Sequence, residues 1–322
     1  MNKPSSLVAR QLPLFATGAV FALLFAAASY FYDGFFSARV LVNLFSEYGF
    51  LGIAAVGMTL VIFSGGIDLS VGAVIGFTTI LVATLIEKHQ VSPALAWLLA
   101  LAAGTGFGAG MGALIHFFRL PPFLITLAGM FFARGAGFWI STDQLNIGHE
   151  LYGRISGFEW VIGSVAIPAT ALFLFVALLG GWVVAHHTRF GRTLLAMGGN
   201  EQSALLMGLP IGPAKVGVYA VNGFCAALAG IVATVYISSG DASRGIGLEL
   251  DAIAIVVMGG TLLTGGRGHM LGTLLGLLIF GTIQTAIMFD GRLDSAWTRI
   301  IVGALLLSFI LLQRLLLRKT RP

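Results

Sequence analysis

The residues that could do chemistry in this chain are few, and most fail the spacing their chemistry needs. The only lysines are Lys3, Lys88, Lys215 and Lys319, and none stands in G-x-x-x-x-G-K-[ST]. The chain therefore has no phosphate cradle of the kind that holds a nucleotide. His149-Glu150 opens an H-E-x-x-H pattern, but Gly153 stands where the second histidine would be. His186-His187 falls at a helix end and cannot make a metal site alone, and no G-x-S-x-G elbow appears. No catalytic residue, metal site or cofactor is expected. Cys225 is the only cysteine, so an intrachain disulfide is impossible.

Two segments remain. The first is SGGIDLSVG at 64–72, between two apolar runs. Gly65 and Gly66 allow backbone angles and close approaches that other residues resist. An acid at membrane depth, such as Asp68, is costly and usually faces a cavity or a partner. Two compatible readings follow. Asp68 or Ser70 caps the helix that begins here, or Ser64, Gly65, Gly66, Asp68 and Ser70 line a path for solute. Asn43 and Glu47, just before the second apolar run, either contact solute or sit in a solvated loop.

The second segment is RFGRTLLAMGGNEQSALLMGLP at 189–210, within a loop spanning 186–214. Asn200 suits an N-cap, Glu201 a first turn, Gly208 a C′ position, and Pro210 stops the helix. That predicts a helix of about seven residues, too short to be stable alone in water. It needs a surface, either this chain's own bundle or a partner met by Leu205, Leu206 and Met207. Among other polar residues, Arg134 either snorkels or pairs with an acid, Arg267 falls at the turn after Gly266, and Gln284 suits a helix–helix hydrogen bond.

What must position these segments is a membrane bundle. The chain is 57% hydrophobic and only 10% charged, with a mean hydropathy of +0.96. A soluble domain carries roughly 25% charged residues. Runs of about 16–24 apolar residues suit helices rather than barrel strands. The predicted fold is all-α, a single polytopic bundle over 1–322. About ten spans are expected, near 12–32, 48–63, 70–86, 94–115, 122–140, 163–185, 215–237, 251–264, 269–289 and 296–313. The eighth is short, as broken or re-entrant helices are. The first resembles a secretory signal, but its length marks an uncleaved span.

The net charge of +5 reflects topology, since basic residues form no nucleic-acid patch. With a cytoplasmic N-terminus, Lys3, Arg10, Arg119, Arg189, Arg192, Lys215, Arg314, Arg318, Lys319 and Arg321 lie inside. Asp33, Glu47, Glu87, Asp143, Glu150, Glu159, Asp241, Glu249, Asp290 and Asp294 lie on the other face. This satisfies the positive-inside rule and places both termini in the cytoplasm. A faint repeat recurs at an offset of 200: Ser64-Gly65-Gly66 with Thr264-Gly265-Gly266, and Gly72 and Gly76 with Gly272 and Gly276.

SGGIDLSVG with the preceding GIAAVGMTLVIF, the RFGR…LAMGGNEQSALLMG loop and LELDAIAIVVMGGTLLTGG resemble the ribose-type permease subunits of bacterial sugar ABC importers. The resemblance runs from about 37 to 313. PPFLITLAGMFFARGAG at 121–137 and IQTAIMFDGRLDSAWTRIIVG at 283–303 are most similar to the galactofuranose-type permease. It implies an inner-membrane permease for a monosaccharide, paired with a second, like or unlike, permease. Two cytoplasmic ATP-binding subunits and a periplasmic sugar-binding protein would complete the assembly, with membrane lipid around it. It also implies that Arg189, Gly198, Gly199, Asn200, Glu201 and Gly208 belong to the region coupled to the ATPase. The rival is an ion-coupled secondary transporter, which would use Asp68 as its coupling acid.

Overall fold

The computed structural model describes residues 6–163, 165–291 and 295–320. Lys3, Asp294 and Arg321, three of the charges used for orientation, lie outside the described residues. The helices are α1 (Ser6–Phe31), α2 (Ala38–Glu47), α3 (Gly49–Phe63), α4 (Val71–Glu87), α5 (Pro93–Phe117), α6 (Pro122–Ile140), α7 (Glu150–Ser156), α8 (Ala169–His187), α9 (Arg189–Gly199), α10 (Glu201–Leu206), α11 (Ile211–Ile237), α12 (Leu248–Met258), α13 (Met270–Asp290) and α14 (Ser295–Thr320). Between them lie short strands β1 (Leu145–Asn146), β2 (Glu159–Ile162), β3 (Val165–Pro168) and β4 (Ser239–Gly240). β1 pairs antiparallel with β4, and β2 with β3.

The helical membrane bundle expected from the apolar runs is what forms, and each run falls on a helix. The count of ten is not reached by length, however. Among the described residues six helices are long and apolar enough to cross a membrane, or seven if α2 and α3, bent by 59° at Tyr48, form one span. The sixth run, 163–185, begins in a hairpin instead. Trp160, Val161, Ile162, Val165 and Ile167 favour strands, Gly163 turns at φ 62°, and Pro168 ends the pair before α8 starts. The eighth run yields only the 11-residue α12.

α3 lies at the centre, with every residue but Phe50 buried. α11 packs against α3, α4 and α5. It comes close to α5 because Gly104, Gly108 and Gly112 recur every fourth residue and leave α5 with no side chain there. A methyl added at Gly104 would lie 2.7 Å from Gly223 O, and one at Gly112 would lie 2.8 Å from Val216 Cα. Small residues at this spacing let helices meet backbone to backbone in lipid. The outer helices α5 and α6 instead expose Phe117, Phe131, Phe132 and Trp139, the surface a bilayer covers.

Candidate functional site

The turn 64–70 between α3 and α4 is built around a buried carboxylate. Gly65 takes φ +81°, which a Cβ would strain. Gly66 is needed for closeness: a methyl there would strike Tyr219 Oη. Asp68 is buried, and its Oδ1 accepts bonds from Ser70 N (2.8 Å) and Ser70 Oγ (2.6 Å). Its Oδ2 accepts from Asn222 Nδ2 of α11 at 2.8 Å. Capping is thus corrected in detail. Ser70 occupies the N-cap position of α4 but makes no side-chain cap bond, because its hydroxyl is committed to Asp68. Ser64 turns back on its own helix, donating to Val61 O at 2.6 Å.

The glycines 200 residues apart share part of their geometry, although Gly266 takes φ +75° and Gly66 has no positive φ. Gly265 also takes φ +81°. Gly65 N donates to Ile62 O and Gly265 N to Leu262 O, each at 2.9 Å. The two turns touch, since a methyl on Gly265 would lie 2.6 Å from Gly65 N. Gly266 N donates to Phe63 O at 3.1 Å, tying the second turn to the end of α3. The end of α9 closes on the same point. A methyl on Gly198 would strike Phe63 O and lie 2.5 Å from Gly266 N. One on Gly266 would lie 2.6 Å from Gly199 N.

α9 is itself a difference from the sequence reading, which left 189–199 without a helix. Thr188 caps it, accepting from Gly191 N at 3.1 Å. The short helix that follows is α10, six residues long. Asn200 Oδ1 accepts from Ser203 N at 2.8 Å, and Gly208 sits at φ 77°. Both expected caps are therefore present. Lys215 Nζ of α11 pairs with Glu201 Oε1 at 2.7 Å, and Ala204 is buried, so one face of α10 rests on its own bundle. The other face is open: Leu205, Leu206 and Met207 are 62%, 88% and 67% exposed. Arg189 and Arg192 are exposed beside them, on the rim of a groove that reaches Leu209 and Pro210.

Asn43 is not in a loop. It sits exposed on α2, apart from the 64–70 turn. Arg267 lies in the turn after Gly266, as expected, and its carbonyl accepts from Leu262 N at 3.2 Å. Arg134 pairs with an acid, Glu249, at 3.7 Å. Glu249 itself is not in a loop on the acidic face. It is buried on α12, where a methyl on Gly72 would strike its Oε2. Glu249, Asn222 and Tyr219 are the polar residues that sequence reasoning missed as part of a site. The signal for Asn222 was a lone amide inside an apolar run, and for Glu249 an acid at the start of one.

A glycine-jointed helical bundle of this kind, with a buried polar turn and an open capped helix at one end, is that of a multi-pass membrane permease. The chain belongs to the family described as "Branched-chain amino acid transport system / permease component", whose model matches residues 40–310. It is 48% identical over 309 residues to the inner membrane ABC transporter permease protein YjfF of Escherichia coli (strain K12), covering 96% of this chain and 93% of that one. It is 38% identical over 280 residues to the ribose import permease protein RbsC of Bacillus subtilis (strain 168), covering 85% and 84%. It is 37% identical over 313 residues to the fructose import permease protein FruG of Bifidobacterium longum (strain NCC 2705), covering 95% and 91%. No solved structure matches it. The ribose-type resemblance of the motifs is borne out.

Proposed function

We propose that this chain forms the transmembrane path of a bacterial ABC importer for a monosaccharide, in the inner membrane with both termini in the cytoplasm. A second permease, the same or different, completes the path. A periplasmic protein delivers the sugar, and separate cytoplasmic subunits hydrolyse ATP. The observation that carries this reading is α10. It is a helix too short to stand alone, capped at both ends, held by Lys215 on one side and presenting Leu205, Leu206 and Met207 on the other. A rigid helix of this kind can pass a partner's movement into the bundle, and it begins three residues after Gly198, the residue packed on both glycine turns.

The names of two of these relatives point to sugars, ribose and fructose, whereas the family description includes amino acids. The sugar reading rests on the relatives, and the galactofuranose-type refinement rests on the motifs at 121–137 and 283–303. Reconstitution with a cognate ATPase, binding protein and second permease tests the proposal. ATP-driven uptake is expected for a pentose or hexose and not for leucine. Uptake that persists without the ATPase would favour an ion-coupled transporter instead.

A further inference from the structure

The route from α11 to α12 does not cross the bundle as one helix. The chain passes through β4 and a 3-10 turn at Ala242–Gly245, laid against α4 with backbone touching backbone. A methyl on Gly240 would strike Thr79 O, and one on Gly245 would strike Gly72 O. Only at Gly247, with φ 90°, does α12 begin. Non-helical backbone at membrane depth is tolerated where it is buried in protein or lines a watery cavity. Arg134 fixes the depth. It is the thirteenth residue of the 19 in α6, so at 1.5 Å per residue it lies about 18 Å from one end and about 9 Å from the other.

Arg134 and Glu249 meet there without satisfying each other. Their 3.7 Å separation exceeds that of a charge-assisted hydrogen bond. Among the described residues Arg134 Nη2, Glu249 Oε2 and Arg244 Nε have no hydrogen-bond partner, although each atom is buried. Glu249 is about nine-tenths buried as a residue, while 21% of the Arg134 side chain remains accessible. Buried polar atoms left unpaired are expensive, and ionisable groups at this depth mark solute pathways. The pair carries no net charge. An anion would be opposed by Glu249 and a cation by Arg134. A hydroxyl suits both, accepting from the guanidinium and donating to the carboxylate. Exposed Ile246 and Leu250, three residues before and one after Glu249, offer apolar surface for the C–H face of a ring.

We propose that Arg134 and Glu249 form a station within the membrane that binds the hydroxyls of an uncharged sugar as it crosses. This rests on the importer reading. The test uses the reconstituted complex with radiolabelled galactose, ribose and fructose. If wild type shows no ATP-driven uptake of any of them, the importer reading is what fails. If wild type is active, Glu249→Gln and Arg134→Gln should each lower uptake about tenfold or more. ATP hydrolysis stimulated by the loaded binding protein should persist in both. The charge-swapped variant, Arg134→Glu with Glu249→Arg, separates binding from packing. It should assemble yet remain deficient in uptake. Wild-type uptake in the glutamine variants, recovery by the swap, or loss of the assembled complex in all three would overturn the station and leave a purely structural pair.

Discussion

Replacing Gly198 by alanine should loosen the joint between α9 and the two glycine turns, whereas the same change at Gly199 should not. Neither residue has a positive φ, so alanine is conformationally acceptable at both. In a helix alanine is favoured over glycine by about 0.8–1.0 kcal/mol. At Gly199 nothing lies within 4 Å of the added methyl, so a small gain in stability is expected. At Gly198 the methyl strikes Phe63 O and comes 2.5 Å from Gly266 N, the two ends of one hydrogen bond. These are backbone atoms and cannot swing aside. Overpacking costs about 1–3 kcal/mol and the weakened bond about 1 kcal/mol, so after the helix gain the net loss is about 2 kcal/mol. Thermal melts of the purified protein in detergent should place Gly198→Ala roughly 4 °C below wild type and Gly199→Ala at or above it. In reconstituted vesicles Gly198→Ala should also transport more slowly per ATP hydrolysed. If the two variants melt together and transport alike, α9 does not bear on the turns as described, and the reasoning fails.

Asn200→Ala combined with Glu201→Lys removes the cap of α10 and its pairing with Lys215. The cap loss is about 1 kcal/mol. Stimulated ATP hydrolysis and uptake should both fall while the binding protein keeps its sugar affinity, and wild-type rates in an assembled complex would disprove the coupling role. Asp68→Asn can still accept from Ser70, and the Asn222 amide can turn to present its unpartnered Oδ1. Uptake should therefore survive Asp68→Asn and fail in Asp68→Leu, which strands buried donors. Abolished uptake in a folded Asp68→Asn protein would instead make the charge a coupling site. Cysteines introduced at Ser156 and Ser203 should be labelled from opposite sides of the membrane, Ser156 from outside. Protection of Ser156 in intact spheroplasts together with labelling of Ser203 would invert the topology.

The sequence was most readable where local rules decide the structure. Asn200, Gly208 and Pro210 bound α10 because a cap, a positive φ and a missing N–H act within a few residues. The apolar runs likewise located the helices, since hydrocarbon leaves the backbone little alternative. What stayed hidden depends on contacts between distant segments. Arg134 and Glu249 are 115 positions apart, and nothing near either one announces the other. Asp68 suggested a cap, but its second oxygen is claimed by Asn222 from α11, which left Ser70 bound to the first. Hydropathy alone also counted 163–168 as helix, although its β-branched residues around Gly163 spell a hairpin. Tyr219 and Asn222 gave single polar letters inside an apolar run, and their meaning came only when Gly66 brought the turn against them.

The broken stretch before α12 bears on how the protein is made. At 11 residues α12 is about 16 Å long, roughly half the thickness of the hydrocarbon. It opens with Glu249 and Asp251, acids that oppose transfer of the segment into lipid. Such a segment has no reason to leave the insertion machinery for lipid by itself. Its place exists only when α4 offers the backbone of Gly72, and α13 that of Gly272 and Gly276, to receive it. α12 is therefore expected to settle only once α13 has followed it, into a slot made by helices on both sides of it in the chain. A nascent chain stopped at Met258 should leave this segment extractable by alkali or open to protease, and one extended through Asp290 should shield it.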